Sequence, residues 1–333
     1  MITVFNAATD PYFNLASEEY LLENADDDVF MLWRNAPSVI IGKNQNAWAE
    51  INVDFTEKNN ICVARRLTGG GAVFHDLGNV NFSFVTGAKE DTRLNFAAFT
   101  EPIIKALEKM GLKASLDGRN DIVADGYKIS GNAQCVFRRK NGDSMLLHHG
   151  TLLFGADMSK LAGALNVSKD KIRSKGIKSV KSRVANIKDI PGYSGPDNVE
   201  DFMGLLFSCL SDTPPVEFSE EETAKIKKLR DEKFSRWEWV FGASPDHEVS
   251  REKRFSYGSV KIMLKTKNAV IDGISVSGDF FGTEDVSALE EKLLGCNFKK
   301  EDVMSVLTED PNLCGRVVMG SCAEDILSVL FEQ

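Results

Sequence analysis

Apolar residues recur along this chain in two rhythms that alternate with one another. Residues 14–24 (NLASEEYLLEN) follow a helical repeat behind a proline-containing turn, with Leu15, Tyr20, Leu21 and Leu22 as the apolar side. FMLWR and SVIIGK are continuous apolar runs separated by a turn at 35–37, and they predict a hairpin or a pair of strands. ICVARR and NVNFSFV predict two further strands flanking a glycine-rich segment. Residues 93–110 are periodic and end at Gly111, which predicts a helix closed by a glycine C-cap. Short strands are expected at 121–124, 127–131 and 145–154, with Asp-Gly and Gly-Asp turn signals between them. Residues 199–232 read as largely helical, interrupted at Pro214 and Pro215. Beyond the aromatic run at 237–242 come strands at 258–264 and 269–276, then helices near 286–294 and 301–308. Strands joined mostly by turns, with helices interspersed, predict an α+β chain with a mixed sheet rather than a regular βαβ array. Its expected division is a larger domain over 1–245 and a small α+β domain over 246–333.

Composition narrows the classes of function. The 333 residues are 43% hydrophobic and 27% charged, enough apolar material for a sizeable core. Forty basic residues against 49 acidic ones leave a net charge of −9, which disfavours bulk nucleic-acid binding. No apolar stretch approaches the ~18 residues of a membrane span, and the N-terminus has neither the basic nor the apolar region of a secretory signal. The six cysteines (Cys62, Cys135, Cys209, Cys296, Cys314, Cys322) contain no C-x-x-C pair, which argues against a disulfide framework or a zinc site. A reduced, cytoplasmic protein is expected.

Four segments concentrate the chemistry. The first is Arg65-Arg66-Leu67-Thr68-Gly69-Gly70-Gly71-Ala72-Val73-Phe74-His75-Asp76-Leu77-Gly78-Asn79. Three consecutive glycines permit positive φ and close approach of backbone N–H groups to an anion, and two arginines at the entrance can neutralise it. The alternative is a glycine-rich turn with solvated arginines. The spacing is neither that of a Walker A loop nor the G-x-G-x-x-G fingerprint. The second segment joins Gly118-Arg119-Asn120-Asp121 to Lys128-Ile129-Ser130-Gly131-Asn132-Ala133. On a regular strand, Lys128 and Ser130 share one face and Ile129 takes the other. A strand-mounted lysine serves either as a point charge for two anions that must meet or simply as a solvent-facing cation. The third is His148-His149-Gly150-Thr151-Leu152-Leu153-Phe154, whose adjacent histidines must point to opposite faces of a strand and so do not share a metal. The fourth is the run 169–188, with eight cations and one acid, which reads as a solvated loop, a phosphate cover or a dock for an acidic partner.

Taken together, RRLTGGGAVFHDLGN, GRNDI, KISGNAQ, HHGTLLF, KGIKSVKSRVANI and the WEWVFG cluster resemble the lipoate–protein ligase family over roughly residues 10–245, and the tail has the length of that family's accessory domain. The fold implied is the mixed-sheet biotin/lipoate ligase catalytic core, related to class II aminoacyl-tRNA synthetases. The reaction implied joins lipoate to ATP as lipoyl-AMP, with Mg²⁺ on the phosphates, and then transfers the lipoyl group to a lysine of an acceptor protein. In that resemblance Lys128 is the catalytic cation. Arg65, Gly69, Gly70, Gly71, Val73, His75, Asn79, Asp121, Ser130, Gly131, Ala133, His149, Gly150 and Thr151 bind substrate, and Asp121 also meets the metal. Lys175, Val180, Ser182 and Arg183 belong to the loop that covers the adenylate. Lipoyl domains of 2-oxoacid dehydrogenase E2 subunits and the glycine-cleavage H protein are the implied acceptors, with neither nucleic acid nor membrane as a partner. Asn132 departs from the small residue, Ser or Ala, that the family often carries there. The competing readings are a cysteine-dependent octanoyl or lipoyl transferase acting through Cys135, and a ligase for another medium-chain carboxylate.

Overall fold

Every residue of Val29–Trp33 is buried, so this strand has to be covered on both faces. The structure, a computed structural model, describes residues 1–45, 47–88, 93–157, 159–165, 184–241, 249–267, 270–298 and 300–331. The chain divides into two units. One comprises Met1–Ile40, Glu50–Ala64 and Val73–Arg236; the other comprises Ile41–Ala49, Arg65–Ala72 and Trp237–Gln333. The boundary expected at 245/246 falls outside the described residues.

The first unit is built on a seven-stranded sheet. Its strands are β1 (Ile2–Asn6), β2 (Val29–Trp33), β6 (Asn79–Ala88), β7 (Ala114–Asp117), β8 (Asp121–Ala124), β9 (Tyr127–Arg138) and β10 (Ser144–Leu153), in the order β1-β2-β6-β10-β9-β8-β7. β1 and β2 are parallel, joined through helix α1 (Pro11–Asn24), and the other pairings are antiparallel. Asp10 caps α1 by accepting from the Tyr12 N–H, ahead of a proline in its first turn. A smaller sheet orders β3 (Ser38–Ile41) between β4 (Cys62–Arg65) and β5 (Val73–His75). The two apolar runs read as a hairpin therefore end in different sheets. Asn14 holds the turn between them, donating to the Arg34 carbonyl and the Asn35 side chain, so β3 leaves in a new direction instead of folding back on β2.

Register assigns the two faces of the large sheet. One face carries Phe30, Leu32, Phe82, Phe84, Ile122, Ile129 and Leu152 into an apolar layer closed by α2 (Phe96–Lys109) and α3 (Val199–Leu210). Each fully buried phenylalanine there contributes roughly 1.5–3 kcal/mol. His148 belongs to this dry face, stacked 5.1 Å from Phe99 and 5.8 Å from Phe82. Gln134 Nε2 donates to its Nδ1, and its Nε2–H donates to Asn132 Oδ1. The opposite face carries Asn79, Asn81, Ser83, His149 and Thr151, with α1 against it. The two histidines are thus split across the sheet, as strand periodicity requires.

In the second unit, β11 (Val249–Phe255), β12 (Gly258–Lys267) and β13 (Val270–Gly278) form an antiparallel sheet. Val260, Ile262 and Leu264 pack with Leu289, Leu293, Val303, Leu307, Ile326 and Leu330 from helices Val286–Leu293, Lys300–Thr308 and Ala323–Phe331. No helix of the described residues is long and apolar enough to cross a membrane.

Burial drives the His148 pKa well below the ordinary histidine value. An unfolded chain takes up a proton near pH 6.5 and the folded chain does not, so this contribution is fully present above that pH and is lost as pH falls below it. Between pH 7.5 and 5.5 the wild type should lose about 1.4 kcal/mol more stability than His148→Gln. Urea titrations at the two pH values measure this, and parallel losses would contradict it.

Candidate functional site

The lysine singled out by sequence sits on a bulged hairpin. Asp125 and Gly126, both at positive φ (50° and 78°), close the tight turn between β8 and β9. From that turn the register runs Ala124 to Tyr127 and Val123 to Lys128, then shifts so that Ile122 faces Ser130 and Asp121 faces Gly131. Ile129 is the extra residue, buried in the apolar layer. The expectation that Lys128 and Ser130 share a face is therefore corrected, because one inserted residue reverses the strand's parity. Lys128 lies on the face of Asp121 and Gly131, whereas Ser130 is fully buried on the other and accepts from Asn132.

Lys128 Nζ meets Asp121 Oδ1 at 2.7 Å, with the side chains 36% and 35% exposed, so the ammonium remains accessible. Gly131 keeps this space open, since a Cβ there would lie 3.1 Å from Lys128 Nζ. The Gly131 N–H donates to Thr151 Oγ1 at 3.1 Å, tying β9 to β10 beside the lysine. The basic run re-enters the described structure at the same point: Val184 bridges Lys128 in parallel, and the Ala185 N–H donates to the Lys128 carbonyl. Lys175, Val180, Ser182 and Arg183 lie outside the described residues.

Further along this face is a polar cluster that the sequence reading only partly found. His149, opposite the buried Ala133, pairs through Nδ1 with Glu18 Oε1 at 2.8 Å. Ser83 donates to the same carboxylate oxygen at 2.6 Å and accepts from Trp33 Nε1 at 2.9 Å. Glu18 is fully buried, and its Oε2 has no partner among the described residues. The missed signal was helical spacing: Leu15, Glu18 and Leu22 fall on one stripe, so a helix that buries its leucines also buries this glutamate. Trp33 packs edge-on to His75, whose Nδ1 bonds Asn35, and Val73 lies two residues before it on β5. Asn79 donates to Asn81 Oδ1, leaving Asn79 Oδ1 and Asn81 Nδ2 buried without partners among the described residues. Gly150 does not join this face. A Cβ there would lie 2.2 Å from Asn132 Oδ1 and 2.5 Å from the Phe82 ring, so its glycine serves core packing rather than ligand contact.

The glycine-rich turn is organised within the second unit, and its two arginines are corrected from ligand clamps to braces. Arg65 is 4% exposed and donates to the carbonyls of Gly42, Lys43, Gln45, Trp239 and Val240. Burial lowers its pKa to about 10. Arg66 donates to Thr68 Oγ1 and to the carbonyls of Gly69 and Gly71. Gly70, at φ 93°, gives its N–H to the Phe280 carbonyl, and a Cβ on Gly69 would lie 2.2 Å from that oxygen. The Gly70 N–H is thus engaged by protein rather than presented to an anion, while a Cβ on Gly71 would meet nothing nearer than 3.8 Å.

Several known proteins resemble this chain. Residues 10–210 match the family model described as the lipoyl protein ligase A/B catalytic domain, and 244–318 match that of the bacterial lipoate protein ligase C-terminus. Lipoate-protein ligase LplJ of Bacillus subtilis (strain 168) is 42% identical over 306 residues, 90% of each chain. A solved structure of a bi-partite lipoate protein ligase and its E2 lipoyl domain from Thermoplasma acidophilum is 30% identical, with a TM-score of 0.64 over 74% of this chain and 98% of that one. A lipoate-protein ligase A bound with ATP is 27% identical, with a TM-score of 0.59 over 73% and 99%.

If Arg65 is a brace, Arg65→Leu strips donors from five carbonyls, those of Gly42, Gln45 and Val240 in buried bonds, and should destabilise the protein by about 3 kcal/mol or more. Chemical denaturation measures this, and a loss under about 1 kcal/mol would make the arginine a dispensable cation.

Proposed function

The chain belongs to the lipoyl protein ligase A/B family, and on that premise we propose how its residues carry out lipoate attachment. A lipoate carboxylate oxygen attacks the α-phosphorus of ATP. The new O–P bond forms as the bond to the β-phosphate oxygen breaks, releasing pyrophosphate. A lysine amine of the acceptor then attacks the acyl carbon of lipoyl-AMP, AMP leaves with the C–O bonding pair, and the amine loses its proton.

One observation supports this reading above the others: Lys128 presents an accessible ammonium beside the space kept clear by Gly131. The first step presses a carboxylate against a triphosphate, and a fixed cation between them stabilises the charge that concentrates as they meet. Lys128 exchanges Asp121 for these two anions when substrates bind. The acyl chain runs along the sheet from the Gly131–Thr151 row to the His149–Ala133 row, a strand rise of about 7 Å, with Trp33, Ser83, His149 and Glu18 around its far end. Asn79 and Val73 are assigned to the nucleotide side, and His75 packs edge-on against Trp33.

No cluster of three or more metal-ligating side chains occurs among the described residues. Mg²⁺ is assigned as a companion of the substrate ATP, where Asp121 would help hold it and it would neutralise phosphate charge. The acceptors are lipoyl domains of 2-oxoacid dehydrogenase E2 subunits or the H protein. The six cysteines form no disulfide, in keeping with work in a reducing cytoplasm.

The deciding assay is lipoate-dependent exchange of pyrophosphate into ATP. Wild type should catalyse it and Lys128→Ala should lose it by more than about 100-fold while remaining folded. Near-normal exchange by the variant would remove Lys128 from the mechanism. Gly131→Ala pushes the ammonium by a few tenths of an ångström and should lose roughly tenfold. The same assay separates this reaction from thioester transfer through Cys135, which consumes no ATP.

A further inference from the structure

The hairpin that carries Asp121 and Lys128 has an intrinsic weakness. A bulge leaves β9 one residue longer than its partner, and a one-residue slip would turn Lys128 into the apolar layer. Close to the bulge, immediately beyond the Asp121–Gly131 pair, Asn132 and Asn120 are joined by three hydrogen bonds. The Asn132 N–H and Nδ2 both donate to the Asn120 carbonyl, at 2.9 and 3.0 Å, and Asn120 Nδ2 donates to the Asn132 carbonyl at 2.6 Å.

The Asn132 amide is itself fixed from the core side. Nδ2 also donates to Ser130 Oγ at 3.2 Å, and Oδ1 accepts from His148 Nε2 at 3.2 Å. The residue is 4% exposed and its side chain lies on the opposite face from Lys128. Gly150 lacks a Cβ where the Asn132 carboxamide oxygen sits, so the third motif is shaped around this amide.

From this arrangement we propose that Asn132 is a positioning residue for Lys128, pinning the register of the bulged hairpin through Asn120. It acts at both ends of the ion pair. Asn120 directly precedes Asp121, and Asn132 directly follows Gly131, the residue over which the ammonium lies. An alanine or serine keeps the main-chain bond but loses the amide lock. The inference rests on the assignment of Lys128 to the adenylation step.

The test is steady-state pyrophosphate exchange with lipoate and MgATP varied separately. Asn132→Ala and Asn132→Ser should lower kcat roughly 10- to 100-fold while both KM values stay within about threefold. Asn120→Ala, at a half-exposed position, should give the same split and carries the test alone if the Asn132 variants do not fold. The double variant removes both side-chain bonds, each of which a single substitution leaves to the other residue, and should fall further than either single variant. Phe207→Leu, in the core against Phe5 and Phe30, supplies a protein of lowered stability and should retain kcat. Loss of kcat in the asparagine variants no greater than in Phe207→Leu, or a rise in KM at constant kcat, overturns the proposal. If wild type shows no lipoate-dependent exchange, or Lys128→Ala retains it, the functional reading itself fails.

Discussion

The 2.7 Å pair between Lys128 and Asp121 forms because β9 carries one more residue than β8 between the turn and Gly131. In a regular ladder the lysine would alternate onto the apolar face with Ser130, where an ammonium faces a desolvation penalty of several kcal/mol. The insertion sends Ile129 into the core instead, and the lysine onto the polar face. The rest of the first unit agrees with that division. Phe30, Phe82, Phe84 and His148 form a dry layer under the sheet, and Asn79, Asn81, Ser83, His149 and Thr151 occupy its other side. One sheet thereby supplies both a rigid foundation and a polar platform.

Positive charge is used in two distinct ways. Arg65 and Arg66 are buried, and their guanidinium groups bind main-chain carbonyls and a threonine hydroxyl, which holds a turn rich in glycine in one conformation. Lys128 is left accessible, with one carboxylate partner that a stronger anion can replace. A planar group with five fixed donors suits the first task, and a compact ammonium on a flexible stem suits the second. The buried Glu18 complements this pattern, accepting from Ser83 and His149 beneath α1.

Much of the candidate site's local geometry was legible because its motifs answer local demands. Gly131 and the Asp125–Gly126 turn follow from close approach and positive φ, and the split of His148 from His149 follows from a period of two. Glu18 was also within reach, since it shares a helical stripe with leucines. The duties of Arg65 and the separation of β2 from β3 were not, because each depends on partners farther along the chain, and the face of Lys128 was not, because an inserted residue in a hairpin leaves no mark on the apolar pattern.

By itself the sequence determined the α+β class, most of the strands and helices, and the family, since composition, periodicity and ordered motifs are properties of neighbouring residues. Only the tertiary structure decided which side chains meet. A single bulge inverts a face, and burial converts an arginine from a ligand-binding cation into a brace for carbonyls up to 175 positions away. Pairing register and desolvation arise between segments, so no local window of the chain contains them.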